Sequence, residues 1–293
     1  MYTQLFGQYL LNKGYVSAEK LRDAMQKSSQ TRVRLGALAI DAGFMNSEQV
    51  ALVHEEQRRT DKRFGEIAEE MGLLTGEQTE ELLSRQKNSN LVLGQTLTDL
   101  GYLTDKQFEK ALSEYKSSSS FVDERSDDER MKNDLIRILD IKDTPKREFH
   151  AQYILLLVRN LIRFLGDDFT FGKASLSDDI TLENACYQDI SGENVNISVT
   201  VGGCDAAMIG IALRYAGEYL TEADDYTLAC VGEFLNLQNG LFLVNVSNES
   251  NTELELSPQT SEKNITVSGG EAAASIKLSF PFGDALIILT DKG

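Results

Sequence analysis

The sequence predicts two domains, an all-α helical repeat domain followed by an α+β domain with a mainly antiparallel sheet. Three observations carry this. A glycine-marked block returns four times at a constant step, the apolar pattern changes from helical to alternating near residue 169, and the charge changes between the two halves. At 293 residues the chain has room for about two domains. The boundaries follow as 1–116 for the repeats, 117–144 for a linker with a short helix, and 145–293 for the second domain.

The repeat is clearest over residues 34–57, RLGALAIDAGFMNSEQVALVHEEQ, and 63–86, RFGEIAEEMGLLTGEQTEELLSRQ. Weaker copies start at Leu5 (LFGQYLLNKGYVSAEKLRDAM) and Val92 (VLGQTLTDLGYLTDKQFEKAL). The first glycines are Gly7, Gly36, Gly65 and Gly94, the second Gly14, Gly43, Gly72 and Gly101, every step being 29 residues. Each copy reads as two helices joined by a tight turn. Leu35, Leu38 and Ala39 give the first helix an apolar face, and Gly43 ends it in the left-handed conformation glycine tolerates. Phe44 and Met45 then enter the core. Asn46, Thr75 and Thr104 are N-caps, each followed three residues later by glutamine, the capping-box spacing; Ser17 has Lys20 instead.

Arginine heads only the second and third copies, as Arg34 and Arg63. The plainer reading is a pair of solvated helix-start arginines. A cation there opposes the helix dipole, however, so its recurrence beside a glycine points to an anion at that end. The R-[LF]-G blocks and their five-residue spacer RRTDK resemble the MshEN domain, the N-terminal module of certain type II secretion and pilus ATPases. The resemblance implies cyclic di-GMP binding by Arg34, Leu35, Gly36, Gly43, Arg63, Phe64, Gly65 and Gly72. Arginine suits this, since its fork can meet a phosphate or the O6/N7 edge of guanine. Two departures stand out: Glu69 where copy two has Ile40, and His54 in place of an aliphatic residue. His54 reads as a partly exposed edge of the core. No G-x-x-x-x-G-K-[ST] is present, so the ATPase that follows such modules is absent from this sequence.

Residues 117–126 are polar and charged, as a flexible linker would be. MKNDLIRILD (131–140) suits a short amphipathic helix, and Pro145 the first turn of a helix reaching about Leu165. Beyond it, VNISVTV (195–201) alternates like a half-buried strand. Helices are expected at 205–219 and 223–240, and strands at 241–246, 252–256, 264–267, 274–280 and 285–290. Strands paired through turns with helices grouped together imply the α+β class.

The second of those helices contains CVGEFLNLQNG, with Glu233 and Asn236 three apart on one face. E-x-x-N alone is uninformative, because Glu193 and Asn196 match it inside a turn. Strand, Gly-Gly, helix, acidic turn, helix with GE-x-x-N, strand resembles the CheX/CheC family of chemotaxis phosphatases. So do TELELSP (252–258) and the closing SIKLSFPF. The resemblance implies a CheX-like fold and a response regulator receiver domain as partner. Asn236 would orient the attacking water and Glu233 would contact the partner's active-site lysine. A carboxamide both donates and accepts, so it can hold a water in line with phosphorus. Phosphoryl transfer asks mainly for positioning and charge compensation, with the Mg²⁺ carried by the receiver. Ala229 stands where family members often carry Asp or Ser, and one Glu/Asn pair is present, as in the CheX branch. A binding-only domain therefore stays open beside the phosphatase. Family precedent implies a homodimer.

Composition excludes other classes. Residues 1–116 hold 15 Lys and Arg against 17 Asp and Glu, and residues 117–293 hold 14 against 29. Such acidity argues against DNA or RNA as a partner, which needs cations to neutralise phosphates. Cys186, Cys204 and Cys230 form no C-x-x-C and read as reduced thiols; with two histidines, no metal site of the chain's own is expected. The apolar run 153–165 is short and carries Arg159 and Arg163, so no membrane span is expected. MYTQLFGQYLLNKG lacks a signal-peptide layout, and a cytoplasmic location is expected. Two functions emerge: a cyclic di-GMP sensor coupled to a receiver phosphatase, or a non-enzymatic adaptor in which both modules bind proteins.

Overall fold

The computed structural model describes residues 2–28, 33–60, 62–85, 91–118, 127–174, 179–193, 195–250, 252–268 and 272–292. They fall into two compact units, Tyr2–Asp123 and Glu124–Gly293. The polar stretch expected as a flexible linker lies, from 119 to 126, outside the described residues.

The first unit consists of α1 (Tyr2–Asn12), α2 (Ala18–Ser28), α3 (Leu35–Asp41), α4 (Ser47–Gln57), α5 (Phe64–Glu70), α6 (Gly76–Arg85), α7 (Val92–Asp99) and α8 (Asp105–Ser118). It has no strand among the described residues. Each first helix ends on the second glycine of its copy, with φ between 68° and 72° at Gly14, Gly43, Gly72 and Gly101. The next N–H reaches back five residues, as from Phe44 to the Ala39 carbonyl at 2.9 Å. This is the Schellman closure that only glycine permits without strain. The caps are reciprocal as read: Asn46 with Gln49, Thr75 with Gln78 and Thr104 with Gln107. Ser17 accepts only from the Lys20 N–H.

The first glycine of each copy serves packing. A Cβ at Gly36 would stand 2.9 Å from Val50 and 3.3 Å from the Phe64 ring, and one at Gly65 would stand 2.9 Å from Thr79 and 3.3 Å from Leu35. Copies two and three thus exchange the residue before each glycine, Leu35 and Phe64, as a matched pair. Copy one packs on copy four in the same manner, Gly7 facing Leu93 at 3.2 Å. Around it the Tyr15 hydroxyl donates to Glu114, the Tyr102 hydroxyl donates to Asp23, and Phe6 meets Phe108 edge-on.

The second unit runs α9 (Asp127–Leu139), α10 (Arg147–Leu165), β1 (Thr170–Lys173), β2 (Ile180–Gly192), β3 (Asn196–Gly203), α11 (Asp205–Ala216), α12 (Asp225–Ser250), β4 (Leu254–Leu256), β5 (Thr260–Val267), β6 (Ala272–Phe280) and β7 (Gly283–Asp291). The sheet order is β1-β6-β7-β3-β2-β4, with β5 also on β2, and every pair is antiparallel. α11 lies on β3 and β7, α12 lies on β2, β4 and β5, and α10 packs across both helices.

Three expectations change. The strand expected at 241–246 is the continuation of α12. Phe242 and Val246 are buried there while Leu241 and Val244 are exposed, a helical spacing that a short apolar run does not reveal. β1 and β2 were not anticipated, because β2 buries Asn184 and Gln188 along with its apolar residues. The short helix expected inside the linker is α9, which packs on α10, β1 and β6 as part of the second unit. Among the described residues α12 is long and apolar enough to cross a membrane, by length and composition only. Its buried face includes Gln238 and Asn239.

Candidate functional site

Side chains two apart on a strand share a face, and in β2 that rule lines up Asn184, Cys186, Gln188 and Ile190. All are buried, and three make bonds that face the helices. The Asn184 amide donates to Asp205 at the start of α11 (2.8 Å), the Cys186 thiol donates to the Leu228 carbonyl in α12 (3.2 Å), and Gln188 meets Asn236. Burial pushes the Cys186 thiol up to about 11, so it remains a neutral thiol.

The start of α12 is held by Asp224, whose carboxylate accepts from the Thr227 N–H at 2.9 Å. Two turns further on, Glu233 is exposed and Asn236 half-buried on the rim facing the β4–β5 connection. That connection is pinned to β2, since the Asp189 N–H donates to the Ser257 hydroxyl and the Ser257 N–H donates to the Asp189 carbonyl, both at 3.0 Å. Gln259 then lies against Gly232, where a Cβ would come within 3.3 Å of its carboxamide carbon. From there its amide donates to Glu233 Oε1 at 3.0 Å.

Asn236 is held from beneath. The Gln188 amide donates to Asn236 Oδ1 at 2.9 Å and to the Ser257 carbonyl at 2.8 Å. Gln188 Oε1 accepts from the Asn239 amide at 2.8 Å, and Asn239 Oδ1 accepts from the Tyr153 hydroxyl of α10 at 2.7 Å. Burial raises the Tyr153 phenol far above its ordinary range and keeps it a donor. Asn236 Nδ2 has no partner among the described residues. Near Glu233, Cys230 and Tyr215 are both shifted upward, chiefly by burial and then by neighbouring carboxylates, including Glu233. The exposed aromatics of this region are Tyr219 and Tyr226.

Structure thus brings Glu233 and Asn236 together on one rim and adds Gln188, Ser257, Gln259, Asn239 and Tyr153, which sequence reasoning missed. Only the alternation of β2 could have pointed to Gln188. No group of His, Cys, Asp and Glu able to hold a metal occurs among the described residues.

In the repeats, Arg34 lines a cleft of about 400 Å³ with Ile40, Val50, His54, Arg58, Gln95 and Asp99, among others. Its guanidinium pairs with Asp99 at 3.1 Å, and its N–H donates to Gln95 Oε1 at 3.4 Å. Arg63 is exposed, lies outside that lining and makes no ion pair among the described residues; its N–H donates to Glu66. Leu35 and Phe64 face Gly65 and Gly36, which are buried, while Gly43 and Gly72 form the turns. Gly43 lines a separate cleft with Lys116. The His54 ring lies 5.2 Å from that of Phe64, a half-buried core edge as read.

No family model matches the chain, and no curated protein matches it. Solved structures align with about half of it. A CheC-like superfamily protein from Shewanella sp. PV-4 shares 19% identity over 50% of this chain and 97% of its own, with a TM-score of 0.42. The chemotaxis protein CheX from Desulfovibrio desulfuricans shares 15% over 50% and 99%, at 0.41. A chain of a CheX–CheY–BeF3–Mg²⁺ complex from Borrelia burgdorferi shares 15% over 49% and 96%, at 0.40.

Proposed function

We propose that the chain is a signalling protein whose second unit is a CheX-like phosphatase of phosphorylated receiver domains. The observation that carries this is the Asn236 carboxamide, fixed at Oδ1 by Gln188 with Nδ2 unengaged among the described residues, one helical turn from the exposed carboxylate of Glu233. Such a pair can hold a water beside a phosphoryl group and meet a lysine of the partner. The Mg²⁺ belongs to the receiver, which would supply its charge compensation. The chain's own part is geometric. The amide is oriented before the partner arrives, and Gln259 steadies Glu233.

The test is the loss of phosphoryl group from a CheY-type receiver labelled with phosphoramidate, with and without the full chain. Acceleration by the wild type, reduced about a hundredfold or more in Asn236→Ala with receiver binding retained, is expected. A wild-type chain that binds the phosphorylated receiver without accelerating its decay would leave the adaptor reading.

For the first unit the ligand implied by the resemblance is cyclic di-GMP, and what supports it is Arg34, Arg58 and His54 around one cleft. The adaptor reading draws on a different observation: Asp99 already engages Arg34, and apolar side chains occupy the space beside Gly36 and Gly65. Calorimetric titration of cyclic di-GMP into the full chain separates them. Heat that disappears in Arg34→Ala and Arg63→Ala is expected for a sensor. No heat at micromolar protein would make the repeats a docking array.

A further inference from the structure

We propose that Gln188 is a positioning residue which decides which way round the Asn236 carboxamide faces. It would do so as the last step of a one-directional hydrogen-bond relay from Tyr153 through Asn239. For its kinetic consequence this rests on the phosphatase reading; for the amide orientation it does not.

The direction of the relay is set at one end, by a group with a single role. The Ser257 carbonyl can only accept, so the group 2.8 Å from it must be the Gln188 amide nitrogen. Gln188 Oε1 is then left facing Asn239 and must accept, which turns the Asn239 nitrogen toward Gln188 and its oxygen toward Tyr153. The Tyr153 hydroxyl, wholly buried, supplies the donor that oxygen needs. The orientation that the Ser257 carbonyl imposes on Gln188 is thus met at the far end, where the Tyr153 hydroxyl can donate. Its second N–H points at Asn236, which must answer with Oδ1. Nδ2 of Asn236 is the one amide nitrogen of the relay left to face a partner.

Packing alone does not ask for this arrangement. Gln188, Asn239 and Tyr153 are between 0% and 2% exposed, and leucine or phenylalanine would fill such positions without buried polar groups to satisfy. The relay ends on a single half-exposed group, and that group is Asn236. A carboxamide without such a partner rotates between two faces of nearly equal energy. Half of its population then offers oxygen where nitrogen is needed, and the remainder is loosely held. Misplacement of a group that acts by geometry is costly, about tenfold to a hundredfold in rate.

The experiment, run at a pH where the introduced carboxyl is ionised, compares the full wild-type chain with Gln188→Glu, which keeps shape but as a carboxylate can only accept at that end, and Gln188→Met, which keeps bulk and donates nothing. On a phosphoramidate-labelled CheY-type receiver, both variants are expected to lower kcat about tenfold while KM stays within about twofold. A fall in melting temperature with kcat unchanged would overturn the proposal. The orientation is read separately by proton–nitrogen NMR of the side-chain amides, with Asn236 assigned from the signal lost in Asn236→Asp. In the wild type the Gln188 amide protons should be protected from solvent exchange and those of Asn236 should exchange quickly. In Gln188→Glu the Asn236 amide should turn inward and become protected. Protection of Asn236 and fast exchange of Gln188 in the wild type would refute the relay even if both variants failed to fold. A wild type with no phosphatase activity but the expected amide protection would sink the phosphatase reading and leave the orientation standing.

Discussion

At the scale of single residues, the least conspicuous positions explain the most. Gly94 would bring a Cβ to 2.1 Å from the Phe108 ring, so the first glycine of each copy is there because another side chain already fills its space. The same scale holds a titration. His150 is fully buried on α10, its Nε2 lies 3.2 Å from Asp291 Oδ1, and its Nδ1 has no partner among the described residues. Lys146 also reaches Asp291, at 3.4 Å. Burial lowers the His150 pKa below its ordinary 6.5, and the Asp291 carboxylate opposes this without reversing it. The unfolded chain then takes up a proton near pH 6.5 that the folded chain refuses. The His150 contribution is therefore undiminished above pH 6.5 and declines as the pH falls below it. Unfolding free energies from pH 7.5 to 5.5 should drop more steeply for the wild type than for His150→Gln. Parallel curves would mean that His150 titrates alike in both states.

At the scale of elements, α12 sets the terms. Gly240 looks like a helix end in the sequence, yet it lies in the interior of the 26-residue helix, with open space where a Cβ would go. Gly240→Ala should stabilise the chain by about 0.5–1 kcal/mol, measured by denaturant unfolding. A loss of stability would place a helix end there after all. This element also shows where a sequence is readable. The eight repeat helices were legible because a glycine closure and a cap recur at one spacing, and both are local backbone devices. Leu241 to Val244 offered only apolarity, which strand and helix share. β2 was illegible for the opposite reason, since its inward face carries Asn184 and Gln188 as well as Cys186 and Ile190. The Glu233 and Asn236 pair could be named from its surroundings in the chain. Their supports, Gln188 and Gln259, come from segments far apart in sequence, and no spacing rule links them to α12.

At the scale of the whole molecule, each compact unit holds its own buried core. The charge is divided unequally: 15 basic against 17 acidic residues in 1–116, and 14 against 29 in 117–293. Residues 1–123 and 124–293 produced separately should each unfold cooperatively. Raising salt from 0.05 to 0.5 M, which shortens the screening length from roughly 14 to 4 Å, should raise the melting temperature of the second segment and leave the first nearly unmoved. Equal responses would show that self-repulsion is not what the acidic half contends with. The order of the repeats has a consequence of another kind. Copy one completes its packing on copy four, through Gly7 and Leu93, while copies two and three complete each other through Gly36 with Phe64 and Gly65 with Leu35. During synthesis the inner pair can therefore close as soon as it has left the ribosome, whereas the outer pair must wait for the last helices. Leu5, Leu10 and Leu21, all fully buried in the finished unit, would stay open to chaperones through most of that wait, and a nascent chain stalled before Leu93 should be the form they hold.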